Sequence, residues 1–170
     1  LMTTGSDVLD GGVPAPNTNP VLIFRQGAGH VEPNSAVDPG LVFNSDFFDW
    51  LALLCGATTG VGPSTCTLLQ SLGYSFDLSD FNGASIAIGN MAGVQTVIRR
   101  VTNVGSGPAT YTSSVSGMTG FGVVVSPSSF TINPGDTKTF TVAFTRTTAT
   151  LNVYTGGQLT FSDGDHDVRI

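Results

Sequence analysis

From residue 82 onward the chain alternates apolar and polar positions in short runs. Gly, Pro, Asn and Asp separate the runs. Phe140, Val142 and Phe144 interleave with Thr139, Thr141 and Thr145. Phe121, Val123 and Val125 follow the same period of two, as do Leu159 and Phe161. In an extended strand successive side chains point to opposite faces, so such a run sends one row into a core and the other toward water. The pattern predicts strands at 85–88, 94–103, 109–115, 121–125, 130–132, 139–146, 158–162 and 166–170. Many short strands with turn residues between them predict an antiparallel β-sandwich. Arg99 and Arg100 break the rhythm of 94–103, because neighbouring residues face opposite ways. One of them must point inward or lie at an edge. An edge or a solvated face is the simpler reading, and an interaction patch is the alternative.

Before residue 82 the period changes. Phe47, Trp50, Leu51 and Leu54 recur at helical spacing and predict a helix with one apolar face packed in a core. Ser45 is the predicted N-cap, with Asp46 and Asp49 in the first turn, where the helix dipole favours negative charge. Ser64 is predicted to cap a second short helix running to Leu72. Gly73 is its stop, and Leu68, Leu69 and Leu72 are its apolar face. Residues 5–20, with Gly11-Gly12, Pro14, Pro16, Asn17 and Pro20, read as a loop. An apolar lead-in at 21–24 runs into Gly27-Ala28-Gly29, where the glycines imply a sharp turn or a close backbone approach. Turns follow at Pro33-Asn34 and at Asp38-Pro39-Gly40, before the apolar run Leu41-Val42-Phe43. The glycine pair is only part of a dinucleotide-binding fingerprint: Glu32 stands where the third glycine belongs, and Pro33 opposes an immediate helix. The expected fold is therefore mainly β, an antiparallel sandwich preceded by a loop-rich segment with two short helices.

Composition narrows the function classes. At 170 residues the chain suits one or two small domains. Only 11% of residues are charged and 22 are Gly, which favours an extracellular β-rich protein. A net charge of -6 with six Lys and Arg supplies no basic patch for nucleic acid. No apolar run reaches the roughly 18 residues of a membrane span. Cys55 and Cys66 read first as a disulfide, with two buried thiols as the alternative. A metal site needs more ligands than they provide, and His30 is distant in sequence. Asp163, Asp165 and Asp167 alternate, but an EF-hand loop also needs a Gly at its sixth position and a Glu at its twelfth. Asp163-Gly164 is expected as a hairpin turn instead. No pattern points to a cofactor or a metal.

The stretch GAGHVEPNSAVDPGLVFN, residues 27–44, resembles the segment GxGxVNPxxAxDPGLVYD near the end of the catalytic domain in plant-type subtilases, the secreted subtilisin-like serine proteases. Gly27, Gly29, Val31, Pro33, Asn34, Ala36, Asp38, Pro39, Gly40, Leu41 and Val42 match, while Glu32 and Phe43-Asn44 depart. Further along, Leu54-Cys55-Gly56 is similar to a Leu-Cys-Gly of that family. The run 97–105 is similar to its VTRTVTNVG, 123–130 to VxVxPxxL, 138–144 to KxxFTVxF, and 157–169 to GxLxWSDGxHxVR with Phe161 at the Trp position. Leu1-Met2-Thr3-Thr4 has no basic or apolar leader character and is similar to an ALMTTA that lies after the family's catalytic serine.

The resemblance implies a subtilase cut downstream of that serine. Residues 1–81 would be the tail of the catalytic domain, with an exposed apolar face where the rest of the domain belongs. Residues 82–170 would be a fibronectin-III-like or jelly-roll-like sandwich. The implied partners are the upstream protease domain and the parent's peptide substrate. No catalytic residue carries over, because neither His30 nor His166 lies in the family's HGTH context and no GTSMA serine motif occurs. His30 is expected to be structural or superficial, like Gly27, Gly29, Pro33, Asp38, Pro39 and Gly40. The rival expectation is an extracellular binding or adhesion module, whose exposed aromatics would be Tyr111 and Tyr154.

Overall fold

The alternating segments fold into two antiparallel four-stranded sheets. The structure, a computed structural model, describes residues 1–10, 13–14, 25–58 and 60–170. The apolar lead-in at 21–24 lies outside them. Residues 5–20, expected as loop, contribute a minimal hairpin in which β1 (Leu9–Asp10) pairs with β2 (Val13–Pro14). A single helical turn, α1 (Pro33–Ala36), precedes β3 (Leu41–Val42). Two helices follow, α2 (Phe47–Ala57) and α3 (Pro63–Ser71). The sandwich strands are β4 (Val94–Asn103), β5 (Ala109–Gly117), β6 (Phe121–Ser126), β7 (Ser129–Ile132), β8 (Thr137–Arg146), β9 (Gly157–Ser162) and β10 (Asp167–Arg169). One sheet has the order β10-β9-β5-β7 and the other β3-β4-β8-β6.

Period two is realised as burial. Phe140, Val142 and Phe144 point inward from β8 at 1%, 1% and 8% exposure, while Thr139 and Thr145 face water. Across the sandwich, the Phe161 ring of β9 meets Phe140 edge-on at 4.9 Å and Phe130 of β7 at 5.2 Å. Edge-to-face contact sets the positive rim of one ring against the negative face of another. This aromatic seam joins the two sheets, with Val97, Val101, Leu159 and Val168 packed around it. Leu41 is also fully enclosed, so the short β3 from the N-terminal half is part of the sandwich core.

Asn103, at the end of β4, closes one end of the sandwich. Its amide nitrogen donates to the Gly107 and Ile132 carbonyls at 3.1 Å each, and its amide oxygen accepts from Gly105 N–H at 2.8 Å. Buried and fully engaged, it ties the β4–β5 turn to β7.

The two arginines of β4 part company. Neither lies on a bare edge: Arg99 turns inward at 2% exposure and Arg100 turns outward. Arg99 spreads its guanidinium over four carbonyls, those of Ser79, Gly83, Ser85 and Ile98, at 2.7–3.1 Å. Burial pulls its pKa down to about 10, partly offset by the Asp80 carboxylate. These bonds also explain why 85–88 is not the expected strand. Ile86 and Ile88 still lean on the core, but the Gly83 and Ser85 carbonyls are spent on a side chain rather than a ladder.

The edge of β4 that faces away from β8 is closed by side chains over most of its length. Among the described residues, Leu41 and Val42 alone pair with it as strand, against Asn103 and Thr102. Asp80 accepts from Ile98 N–H at 2.8 Å. Asn82 accepts from Arg100 N–H at 2.7 Å and donates to the Arg100 carbonyl at 3.1 Å. An exposed strand edge invites pairing with another chain, and these residues blunt it.

Replacing Arg99 by Ala strands the four carbonyls it serves and is expected to destabilise by on the order of 3 kcal/mol, the range for buried acceptors left unmade. Arg99→Lys should recover only part, because an ammonium lacks the planar fork. Urea unfolding of the three proteins, with hydrogen exchange at residues 79–88, measures both effects. Equal stability of wild type and Arg99→Ala would remove Arg99 from this role.

Candidate functional site: an outward apolar helix face and the junction beneath it

The helix α2 starts one residue later than the hydroxyl pattern predicts. Asp46 is its cap: the carboxylate accepts from the Phe48 and Asp49 N–H groups at 2.8 and 2.9 Å. Asp49 reaches back to the Asp46 N–H at 3.0 Å, completing a capping box. Ser45 donates instead to the Asn82 carbonyl at 2.5 Å, which joins the helix entry to the sandwich.

The expected core-packing of the Phe47, Trp50 and Leu54 face does not occur. These side chains are 69%, 51% and 43% exposed. The face turned inward carries Asp49 and Ala52. The reason is electrostatic and local. Asp49 pairs with Arg100 of β4 at 2.6 Å, and that ion pair fixes which side of α2 meets the sheet. Trp50 is half buried and meets the Phe81 ring at 4.5 Å. In α3 the cap is Gly62 rather than Ser64, with Pro63 preset at the first position. Leu69 is buried while Leu68 and Leu72 stay 58% and 63% exposed. Gly73 ends the turn at φ +88°. A disulfide between Cys55 and Cys66, with Cα atoms 5.8 Å apart, ties the two helices. The result is a stapled helix pair presenting Phe47, Phe48, Trp50, Leu54, Leu68 and Leu72 to solvent. So many exposed large apolar side chains on one small unit are unusual for a surface left in water.

Beneath it lies a cleft of about 80 Å³ lined by Asp49, Tyr74, Asp77, Asp80, Arg99 and Arg100 among others. Its carboxylates already have partners. Asp77 accepts from the Ser79 hydroxyl and N–H, which holds its carboxyl below the usual range. Asp80 accepts from the Ser75 hydroxyl and Ile98 N–H. The cleft is structural packing around the β4 edge.

The glycine-proline stretch serves the same junction. Gly29, at φ +102°, lies against the Ser6 carbonyl, where a Cβ would come to 2.1 Å. His30 is exposed, and its backbone pairs with Ser6 in both directions. Gly27 turns at φ +58° in open space, and Pro33 opens α1. At Asp38-Pro39-Gly40 the chain turns tightly: Leu41 N–H donates to the Pro39 carbonyl, and Gly40 takes φ +67°. Gly40 abuts the Tyr111 hydroxyl and the His166 ring so closely that a Cβ would meet them at 2.3 and 3.0 Å. Arg169 of β10 donates to the Gly5 carbonyl and pairs with Asp7, adding another link across the junction.

Tyr111, expected as an exposed aromatic, is fully buried in the core. Its phenol pKa is raised by burial and by the carboxylates of Asp163 and Asp38. Tyr154 is 60% exposed. Asp163-Gly164 is a turn, with Gly164 at φ +100° and the Asp163 carboxylate accepting from Asp165 and His166 N–H groups at 3.0 and 2.7 Å. An exposed apolar face within residues 1–81 is as expected, but the sequence does not show that α2 supplies it, nor the His166 contacts described below. Helical spacing reveals that a face is apolar, not which side meets a sheet.

A profile of the fibronectin type-III domain matches residues 80–170. The chain belongs to the fibronectin type-III domain family. Over most of its length this fibronectin type-III chain is also similar to plant subtilisin-like proteases. Subtilisin-like protease SBT2.5 of Arabidopsis thaliana is 36% identical over 86% of the chain, which covers 18% of that protein. Subtilisin-like protease Glyma18g48580 of Glycine max is 36% identical over 86% of the chain and 19% of its own length. SBT5.3 of Arabidopsis thaliana is 34% identical over 99% of the chain, covering 23% of that relative. The chain thus spans about a fifth of the length of these relatives. Among solved structures, a FixG-related protein from Vibrio parahaemolyticus overlays 45% of this chain and 71% of its own, at a TM-score of 0.38 and 18% identity, too distant to bear on function.

Converting Cys55 and Cys66 together to Ser is expected to loosen the helix pair by about 3 kcal/mol, the scale for a short cross-linked loop. The sandwich should hold. Hydrogen exchange should rise across 47–71 and stay unchanged across 94–169. Equal loosening of both regions would show that the disulfide serves the whole molecule.

Proposed function

We propose that this chain is the non-catalytic C-terminal region of a secreted subtilisin-like serine endopeptidase, in which the parent carries out proteolysis. Residues 1–81 complete the protease domain, and residues 82–170 form the accessory sandwich that supports that domain's stability or its access to substrate. The observation that carries this reading is the capped, disulfide-stapled helix pair whose large apolar residues point away from the sandwich. A surface so exposed suits continuation into a larger fold. The similarity to subtilisin-like proteases over most of the chain supports the same reading. The disulfide supports secretion, since such bonds persist in oxidising compartments. An adhesion module is the weaker alternative, because Tyr111, one of its two aromatics, lies in the core.

Two experiments test it. The purified chain should not turn over a peptide substrate in a manner blocked by a serine-directed inhibitor, and such turnover would sink the proposal. Phe47→Ser with Leu72→Ser, at the two most exposed of these side chains, should reduce hydrophobic-dye binding by the isolated chain while leaving its melting temperature nearly unchanged. In the full parent polypeptide the same pair should cost roughly 2 kcal/mol or more per side chain, the value of burying a large apolar group. Indifference of the parent to both substitutions would mean that the face meets nothing there.

A further inference from the structure

We propose that His166 is a pH-operated clamp that fastens the Asp38-Pro39-Gly40 turn, and with it β3, to the β9–β10 hairpin. The geometry is that of one imidazole between two carboxylates from opposite sides of the junction. His166 Nδ1 lies 3.0 and 3.2 Å from the two oxygens of Asp163, and Nε2 lies 3.4 Å from Asp38 Oδ2. Asp163 belongs to the same hairpin as His166, whereas Asp38 comes from the turn that leads into β3. Only the doubly protonated ring can donate to both at once. A neutral ring carries a single N–H and must set a lone pair against one carboxylate.

The other groups around the ring sharpen the device. Tyr111 of β5 and the backbone of Gly40 fill the remaining side, with the buried Tyr111 hydroxyl turned toward the Asp163 carboxylate. Asp165 and Asp167 flank the ring in sequence but are exposed, and Arg169 is turned toward Gly5 and Asp7. Among the described residues, no cation beside the ring opposes its charge.

The titration agrees in sign. The hydrogen bond with Asp163 raises the His166 pKa, burial works against it, and Asp38 adds to the rise. For Asp163, burial favours the neutral acid. Hydrogen bonds from the His166 ring and backbone, the Asp165 backbone and the Tyr111 hydroxyl overcome this and hold the carboxyl at about 2. A group whose pKa is raised by folding stabilises fully below its unfolded value, 6.5, and loses that contribution as pH rises through the folded value. Asp163 remains a carboxylate over that window, so the loss on the alkaline side belongs to His166. When the ring is neutral it keeps Asp163, which is 9% exposed, and lets go of Asp38, which is 70% exposed. The turn and the Val104 N–H bond to the Gly40 carbonyl, 2.9 Å long, then loosen.

The test uses the whole chain between pH 5 and 8 and does not depend on any proteolytic role. NMR follows the His166 ring, resolved from that of His30, together with exchange protection of the Leu41 and Val104 amides. Protection should fall across the His166 titration by a factor of about ten for each pH unit separating its folded and unfolded midpoints. His166→Gln should make it flat. Should that variant not fold, Asp38→Asn, at an exposed side chain, serves in its place: His166 should titrate lower and the pH dependence at Leu41 and Val104 should shrink. Protection that is flat with pH in the wild type would overturn the clamp. So would equal pH dependence in wild type and either variant.

Discussion

The open edge of β4 is the constraint on which the rest of the molecule turns. Nine of the ten residues of β4, Val94–Thr102, are paired along one side by β8, while among the described residues β3 covers two positions on the other. Unmet N–H and C=O groups along that edge would be costly if buried and hazardous if exposed. Asp80, Asn82 and Arg99 meet them with side chains, and their bonds pull residues 79–85 against the sandwich. The segment just before the sandwich is therefore structured by the sandwich's own unfinished hydrogen bonding.

The same edge orients the helices. Ser45 bonds to Asn82, and Asp49 bonds to Arg100, the residue whose backbone Asn82 holds. With α2 anchored by an acid on one side, Phe47, Trp50 and Leu54 face the other way. The disulfide then carries α3 along. A polar attachment beneath and an apolar face above make a unit that is attached to the sandwich without being absorbed into its core. This is the arrangement expected of a segment serving a larger neighbour.

Much of this was legible in the chain. Period-two alternation located Phe140, Val142, Phe144, Leu159 and Phe161 in a sandwich core. An even pair of cysteines in a composition of extracellular type suggested that Cys55 and Cys66 pair, and glycines at Gly29 and Gly40 signalled backbone that must turn or press close. What misled was chemistry with two local solutions. Ser45 and Asp46 are both good caps, and which one wins depends on Asn82, far along the chain, claiming the serine. Residues 85–88 alternate like a strand, yet their neighbour's carbonyls are taken by Arg99.

Local pattern is enough to place the strands from β4 to β10, the turns between them and the apolar face of α2, because these follow from local geometry and from side chains alternating along one backbone. Contacts between distant segments settle where that face points, that Arg99 goes inward while Arg100 goes out, and that Asp38 and Asp163 meet at His166. Each depends on partners brought together from distant positions, and the pattern of a single segment carries no record of which partner its polar groups will find.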